Sequence, residues 1–352
     1  MVLSKLEPST ALLKAEQISE SFIRSLSRAL RVGDADFFLG ASVGISLAPD
    51  DGLDATSLQK HADSAMYRAK REGLGWQMYS PNLDTNTTLR LETERALRRA
   101  LETDAGNSFI VYYQPILEIQ TGQIMALEAL VRWNDNNVMR SPAQFIPIAE
   151  ECGLIVPLET WILQQACQQM VLWEDFNLRV SVNVSTAQFE RPDFVSVVTQ
   201  ALETSNLKPD RLSLELLEGV LVSRFEETAS KITQLRAAGV RLALDDFGSG
   251  YSSLSYLNRL TFDTLKLDRS FVHALGSTRD TRALVAAIVS IAKEFGMDTI
   301  AEGVETKAQL ETLKTLGCDN VQGWLYAPAM SALELEVLLK RGRLEAREFT
   351  SR

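Results

Sequence analysis

From residue 109 onward, short apolar runs alternate with longer stretches of helical spacing. The runs end near residues 116, 133, 184, 216, 245, 267, 302 and 322, and each is short enough for a buried strand. Between them, residues 155–172, 194–204, 226–238, 283–295 and 307–316 repeat apolar positions at helical intervals. Thr306-Lys307-Ala308-Gln309 reads as a capping box, and Gly317 as a left-handed stop. Strands that recur with helices between them predict a parallel α/β sheet or a (β/α)8 barrel. In such a barrel the C-terminal strand ends converge on one face, where active sites are built.

A polar residue stands at the tail of seven of these runs: Glu128, Asn183, Glu215, Asp245, Lys266, Glu302 and Gln322. One polar strand end is ordinary. A series in register, rich in the oxygen ligands that hard cations prefer, predicts a metal site at one barrel mouth. Asp245 and Asp246 are adjacent and repel unless a cation or proton intervenes. Two ions bridged by a shared carboxylate would suit in-line attack of water on a phosphate ester. Capping of the following helix is the structural alternative for Asp246. Glu128 lies in an apolar strand, with Arg132 four residues on as an alternative ion-pair partner. Asn183 offers a neutral oxygen. Lys266 balances charge or holds a water, with Asp268 expected beside it. Gln114 and Gln322 suit a nucleobase edge or a phosphate oxygen, and Glu305 is expected to brace loops.

The first 80 residues read as a small α/β piece with helices over 18–30 and 58–71 and a strand over 37–47. Residues 81–88 (PNLDTNTT) read as a polar connector, followed by a charged helix over 89–102. The domains expected are thus 1–80, a linker and helix over 81–107, and a large domain over 108–345.

Bulk properties narrow the chemistry. The 352 residues carry a net charge of −10, which speaks against duplex nucleic acid as a partner. Only two histidines are present, which disfavours zinc and leaves carboxylate-bound magnesium or manganese. Three cysteines, odd in number and widely spaced, suit a reducing cytoplasm. No apolar run is long enough to span a membrane.

Several segments resemble the EAL-domain cyclic-di-GMP phosphodiesterases: EALVRW (128–133), FIPIAEECGLI (145–155), SVNVS (181–185), DDFGSGYSSL (245–254), LKLDRSFV (265–272), IAEGVET (300–306) and QGWLYA (322–327). The resemblance implies a TIM-like barrel with one antiparallel strand, which hydrolyses cyclic di-GMP to linear pGpG with two Mg2+ or Mn2+ ions. It implies that Glu128, Asn183, Glu215 and Asp245 hold the first ion, with Asp246 and Glu302 on the second. Lys266 would orient the attacking water, and Gln114, Arg132 and Gln322 would contact substrate. Glu218 would steady the loop 246–254, which in the family leads to a homodimer interface formed by that loop and the following helix. Two departures stand out: Leu217 replaces a usual Thr, and Pro328-Ala329 replace a basic residue and Pro. Residues 1–80 resemble the C-terminal half of a GGDEF diguanylate cyclase domain through ASVGISLAPDDG (41–52) and ADSAMYRAKREG (62–73). The signature loop is absent from this sequence, so no cyclase activity is expected. A binding module that senses cyclic di-GMP without cutting it is the alternative, disfavoured because no metal ligand of the family pattern is missing.

Overall fold

Eight strands close into a barrel in the order β5-β13-β12-β11-β10-β9-β8-β6, with β6 paired back to β5. They span Phe109–Glu118 (β5), Ile124–Asp135 (β6), Arg179–Val184 (β8), Leu212–Leu217 (β9), Arg241–Phe247 (β10), Thr264–Leu267 (β11), Asp298–Ala301 (β12) and Asn320–Val321 (β13). The short β7 (Val138–Arg140) forms a hairpin on β6. Neighbouring strands are parallel except at β5, which runs antiparallel to both β6 and β13. The expected TIM-like barrel with one reversed strand is therefore what forms. The computed structural model describes residues 8–26, 30–32, 35–37, 40–71, 73–103, 105–221, 225–248, 259–275 and 279–340.

Alternation along each strand sorts side chains to two sides of the barrel wall. On β9 and β10, Leu212, Leu214, Leu216, Leu242 and Leu244 face outward into the main core, each essentially fully buried. Each such side chain contributes roughly 1.5–3 kcal/mol of burial. Their neighbours Ser213, Glu215, Arg241, Ala243 and Asp245 have the opposite parity and face the lumen. Helices cover the outside. Ile155–Leu172 and Lys307–Leu316 begin and end where the sequence predicts, and the latter carries both capping-box bonds and a left-handed Gly317 at φ 78°.

The described residues divide into two compact units, Met1–Arg95 and Ala96–Arg352. In the first, β3 (Val43–Ile45) and β4 (Trp76–Met78) pair in parallel beneath the helix Ala55–Arg71. A Cβ on Gly44 would lie 1.9 Å from Ala62 O, so only glycine lets strand and helix approach this closely. Three expectations need correction here. The first helix is Pro8–Leu26, and Leu30 instead opens β1 (Leu30–Val32), paired antiparallel with β2 (Ala35–Phe37). Phe37 therefore belongs to a different strand from β3. Residues 81–88 are no connector: the helix runs Pro81–Thr103, with Pro81 at its start, where a missing N–H costs no intrahelical bond.

Candidate active site

The C-terminal strand ends bring the predicted residues together. Glu128 on β6, Asn183 on β8, Glu215 on β9, Asp245 on β10 and Lys266 on β11 all have lumen parity, and Asn183 stands opposite Glu215 in the ladder. Glu302 and Gln322 lie one residue past β12 and β13, tied in by Glu302 N donating to Leu267 O and Gln322 N donating to Ala301 O.

Lys266 is the hub. Its fully buried ammonium lies 2.6 Å from Glu215 Oε2, 2.5 Å from Glu302 Oε1, 3.5 Å from Asp245 Oδ1 and 3.9 Å from Glu128 Oε1. Burial alone would lower its pKa, but the surrounding carboxylates outweigh burial and hold it well above the ordinary lysine value. Burial raises Glu215 well above the carboxylate range, partly offset by Lys266, and pushes Glu302 up to about 7. Asp246 is raised by burial and by the charges of Asp245 and Asp268.

Glu128 is oriented by amides rather than by the ion pair considered for it. Asn183 Nδ2 donates to its Oε1 at 2.8 Å and Gln322 Nε2 to its Oε2 at 2.5 Å. Gln322 also donates to Gln114 Oε1 at 3.0 Å, and Gln114 Nε2 donates to Ala327 O. Both glutamines thus converge on the cluster, with Gln322 buried within it. Arg132 makes no ion pair with the cluster, though the charge of Glu128 reaches it. Its Nη1 donates to Val131 O at 2.9 Å and its guanidinium lies over the Tyr112 ring. Glu218 Oε2 accepts from Gly248 N at 3.4 Å, which anchors the start of the segment after β10. The remainder of the loop and helix, residues 249–258, lies outside the described residues, as does the dimer surface expected there.

One neighbour was misplaced by the strand reading. Asp268 follows the end of β11 and caps the helix Arg269–His273, accepting from Ser270 N at 3.0 Å; it faces Asp246 rather than Lys266. Another was missed. Glu159, on the helix Ile155–Leu172, is buried and accepts from both Ser185 N and Ser185 Oγ, just beyond Asn183. Burial raises its pKa to about 7, against the lowering effect of the Ser185 bonds. A carboxylate on the apolar face between Ile155 and Ile162 was the available signal. Glu305 lies 3.5 Å from His273, in keeping with a bracing role.

The donor set fits a hard divalent cation. Asp245, Asp246 and Glu302 each offer a carboxylate oxygen within 4.8 Å of the others, and the buried Oε1 of Glu215 has no hydrogen-bond partner. Five carboxylates converge here against one ammonium, an excess of negative charge that a cation would offset. Backbone geometry serves the same end. Asp246 adopts φ 55°, a left-handed conformation that aspartate tolerates better than most residues, and this turns its carboxylate back toward Asp245 and Glu302.

Comparison with known proteins agrees with the motifs. Residues 94–329 match the EAL domain model, and residues 1–75 match the diguanylate cyclase GGDEF domain model. MucR of Pseudomonas aeruginosa, a bifunctional diguanylate cyclase/cyclic di-GMP phosphodiesterase, is 37% identical over 326 residues, covering 91% of this chain and 47% of its own. The cyclic di-GMP phosphodiesterase PdeR of Escherichia coli is 36% identical over 330 residues, covering 93% and 49%. The chain thus spans about half the length of these curated relatives. Among solved structures, the PaMucR phosphodiesterase in complex with c-di-GMP superposes with a TM-score of 0.66 at 39% identity, covering 69% of this chain and 99% of that one. The EAL enzyme Bd1971, with cAMP and cyclic di-GMP bound, gives 0.68 at 27% identity, covering 82% and 76%. With its motifs, its barrel and its strand-end acids in agreement, the chain belongs to the EAL domain family.

Proposed function

We propose that this protein hydrolyses cyclic di-GMP to linear pGpG in the barrel mouth, and that its N-terminal GGDEF-related unit is inactive as a cyclase. The observation that carries the reading is the cluster around Lys266, in which acids from β6, β9, β10 and the end of β12 meet one ammonium. The names of MucR, PdeR and the c-di-GMP-bound PaMucR structure support the choice of substrate. A domain division at 1–80, 81–107 and 108–345 is part of the same reading.

Glu128, Asn183, Glu215 and Asp245 would hold one Mg2+ or Mn2+ ion, and Asp246 and Glu302 a second, with Asp245 shared. Bound there, the ions would supply Lewis-acid activation of water and of the scissile phosphate. The chain's own side chains do the rest. Lys266 fixes the carboxylates and offers N–H donors to an attacking water. Asn183 and Gln322 orient Glu128, and Gln114 locks Gln322 in turn. Arg132, half-buried beside the mouth, adds a cation for substrate phosphate. Glu218, bonded to Gly248 N, steadies the loop that leads to a homodimer contact. No helix of the described residues is long and apolar enough to cross a membrane.

The test is direct. The purified chain with Mg2+ or Mn2+ is expected to form pGpG, and Asp246→Asn is expected to lose at least about 100-fold in turnover while retaining binding. Bound cyclic di-GMP without pGpG in the wild type would replace the enzyme reading with a sensor reading.

A further inference from the structure

The lumen has a second end, opposite the acidic cluster. Arg179, Arg241, Thr264 and Asp298 open strands β8, β10, β11 and β12, so all four stand at the N-terminal mouth. With Ser181 and Ser213 they line a small pocket that opens to solvent. Ile116, Ala126 and Ile300 form a small apolar cluster that also lines this cavity. Each stands two residues along its strand from Gln114, Glu128 or Glu302, so the plug separates the cavity from the acids above.

Of the polar groups lining this cavity, Asn320 donates to Thr299 O at 3.2 Å, while several others have no partner among the described residues. Ser181, Ser213 and Thr264 are 4%, 7% and 9% exposed, and their hydroxyls, which make no hydrogen bond among the described residues, reach the open space of this pocket. These hydroxyls are therefore free to donate to an occupant of the pocket. The half-buried Arg179 guanidinium likewise has no hydrogen bond or ion pair among the described residues. Burial and the like charge of Arg241 both pull its pKa below the ordinary value, against the opposing charges of Asp298 and Asp263. Arg241 is only loosely held, 3.8 Å from Asp263 Oδ1. The other Asp263 oxygen is already engaged by Arg236 Nη1 at 2.8 Å and Leu242 N at 2.9 Å. Three guanidiniums thus face two carboxylates here, in a chain whose net charge is −10.

We propose that the N-terminal mouth of the barrel binds a small tetrahedral oxyanion of the phosphate class, between Arg179 and Arg241, with Ser181, Ser213 and Thr264 as further donors. Two guanidinium forks and three hydroxyls exceed what a carboxylate's two oxygens can accept, and match four oxygens. A neutral guest would leave the repulsion between the arginines in place. An eight-stranded lumen has room for side chains or one small ligand, which excludes a larger group below the plug.

The test uses the full chain with divalent ions removed by EDTA, so that the carboxylate mouth repels rather than gathers anions. Unfolding midpoints are followed in potassium phosphate and in potassium chloride of equal ionic strength. The expected result is a saturable rise in midpoint in phosphate alone. Arg179→Gln is expected to weaken phosphate affinity by about tenfold or more, and Ser213→Ala by several-fold. Asp298→Asn removes the one carboxylate lining the cavity and is expected to tighten phosphate binding several-fold, a gain that misfolding does not produce. A wild-type midpoint that responds alike to phosphate and chloride means that the cavity holds water only and overturns the proposal. So does an Arg179→Gln or Asp298→Asn variant with wild-type affinity for phosphate.

Discussion

The two mouths of the barrel are built from the same strands at the same parity, yet they carry opposite chemistry. At the C-terminal end, four acids surround one buried lysine, which lies within 4 Å of each of them. At the N-terminal end, two half-buried arginines and three hydroxyls line a cavity with little to bind them. The usual filling of such a barrel is stacked aliphatic side chains; here Ile116, Ala126 and Ile300 form a small apolar layer between the two mouths. Closure sets the geometry, and two-residue steps along a strand then move from one chemistry to the other. Left-handed residues flank both ends: Asp246 at φ 55° and Gly248 at 93° close β10, and Asn177, Gly239 and Gly296 lie two residues ahead of β8, β10 and β12.

The hub is the place to break this contrast. Lys266→Ala leaves Glu215, 1% exposed, without its counter-charge, and is expected to cost roughly 3–5 kcal/mol of stability in urea unfolding. Arg179→Gln, which removes one of two like charges, is expected to leave stability in chloride unchanged or raised. Equal losses from the two variants would erase the distinction between the mouths.

Glu159 buttresses the acidic end from outside the barrel, and its proton affinity sharpens the picture. Its folded pKa near 7 exceeds the ordinary 4.5, so the folded state binds the extra proton. The associated stabilisation is complete below about pH 4.5 and is lost as pH rises through 7. Compared with Glu159→Gln, the wild type is therefore expected to lose about 2–3 kcal/mol between pH 4.5 and 8, read by urea midpoints at each pH.

Glu302, at about 7 before any ion binds, gives the matching test inside the mouth. Its protonated fraction grows as pH falls through 7, and the proton must leave before the carboxylate can ligate. Mn2+ affinity by calorimetry is expected to fall as pH drops below 7. The smallest effect belongs to the strained turn. A Cβ at Gly248 would meet the Phe271 ring at 3.1 Å while φ stays positive, so Gly248→Ala is expected to cost about 1–2 kcal/mol. No comparable loss is expected from an alanine at a strand start of the basic mouth.

Much of this barrel can be read from the chain. Eight apolar runs became eight strands, because strand burial and side-chain alternation are local properties that leave a period in the sequence. Glu128, Asn183, Glu215, Asp245, Lys266, Glu302 and Gln322 met as expected, since closure brings every C-terminal strand end to one place. Asp268 escaped because two-residue parity holds only while the strand lasts, and β11 stops at Leu267. The helix beginning at Pro81 escaped because its polar first turns lack apolar periodicity and mimic a connector.

Composition and spacing alone determined the fold class, the acidic character of one mouth and the chemistry suited to it, because these follow from residue type and strand period. Partnership was decided only by the closed barrel: Glu128 with two amides, Glu159 with Ser185, and Arg179 with no hydrogen bond or ion pair among the described residues, only the charges of Arg241, Asp298 and Asp263 nearby. Strand-start residues such as Arg179, Ser213 and Arg241 read as unremarkable flanks in the linear chain. They share one cavity because barrel curvature turns residues far apart in sequence toward a common axis, and no local pattern encodes that meeting.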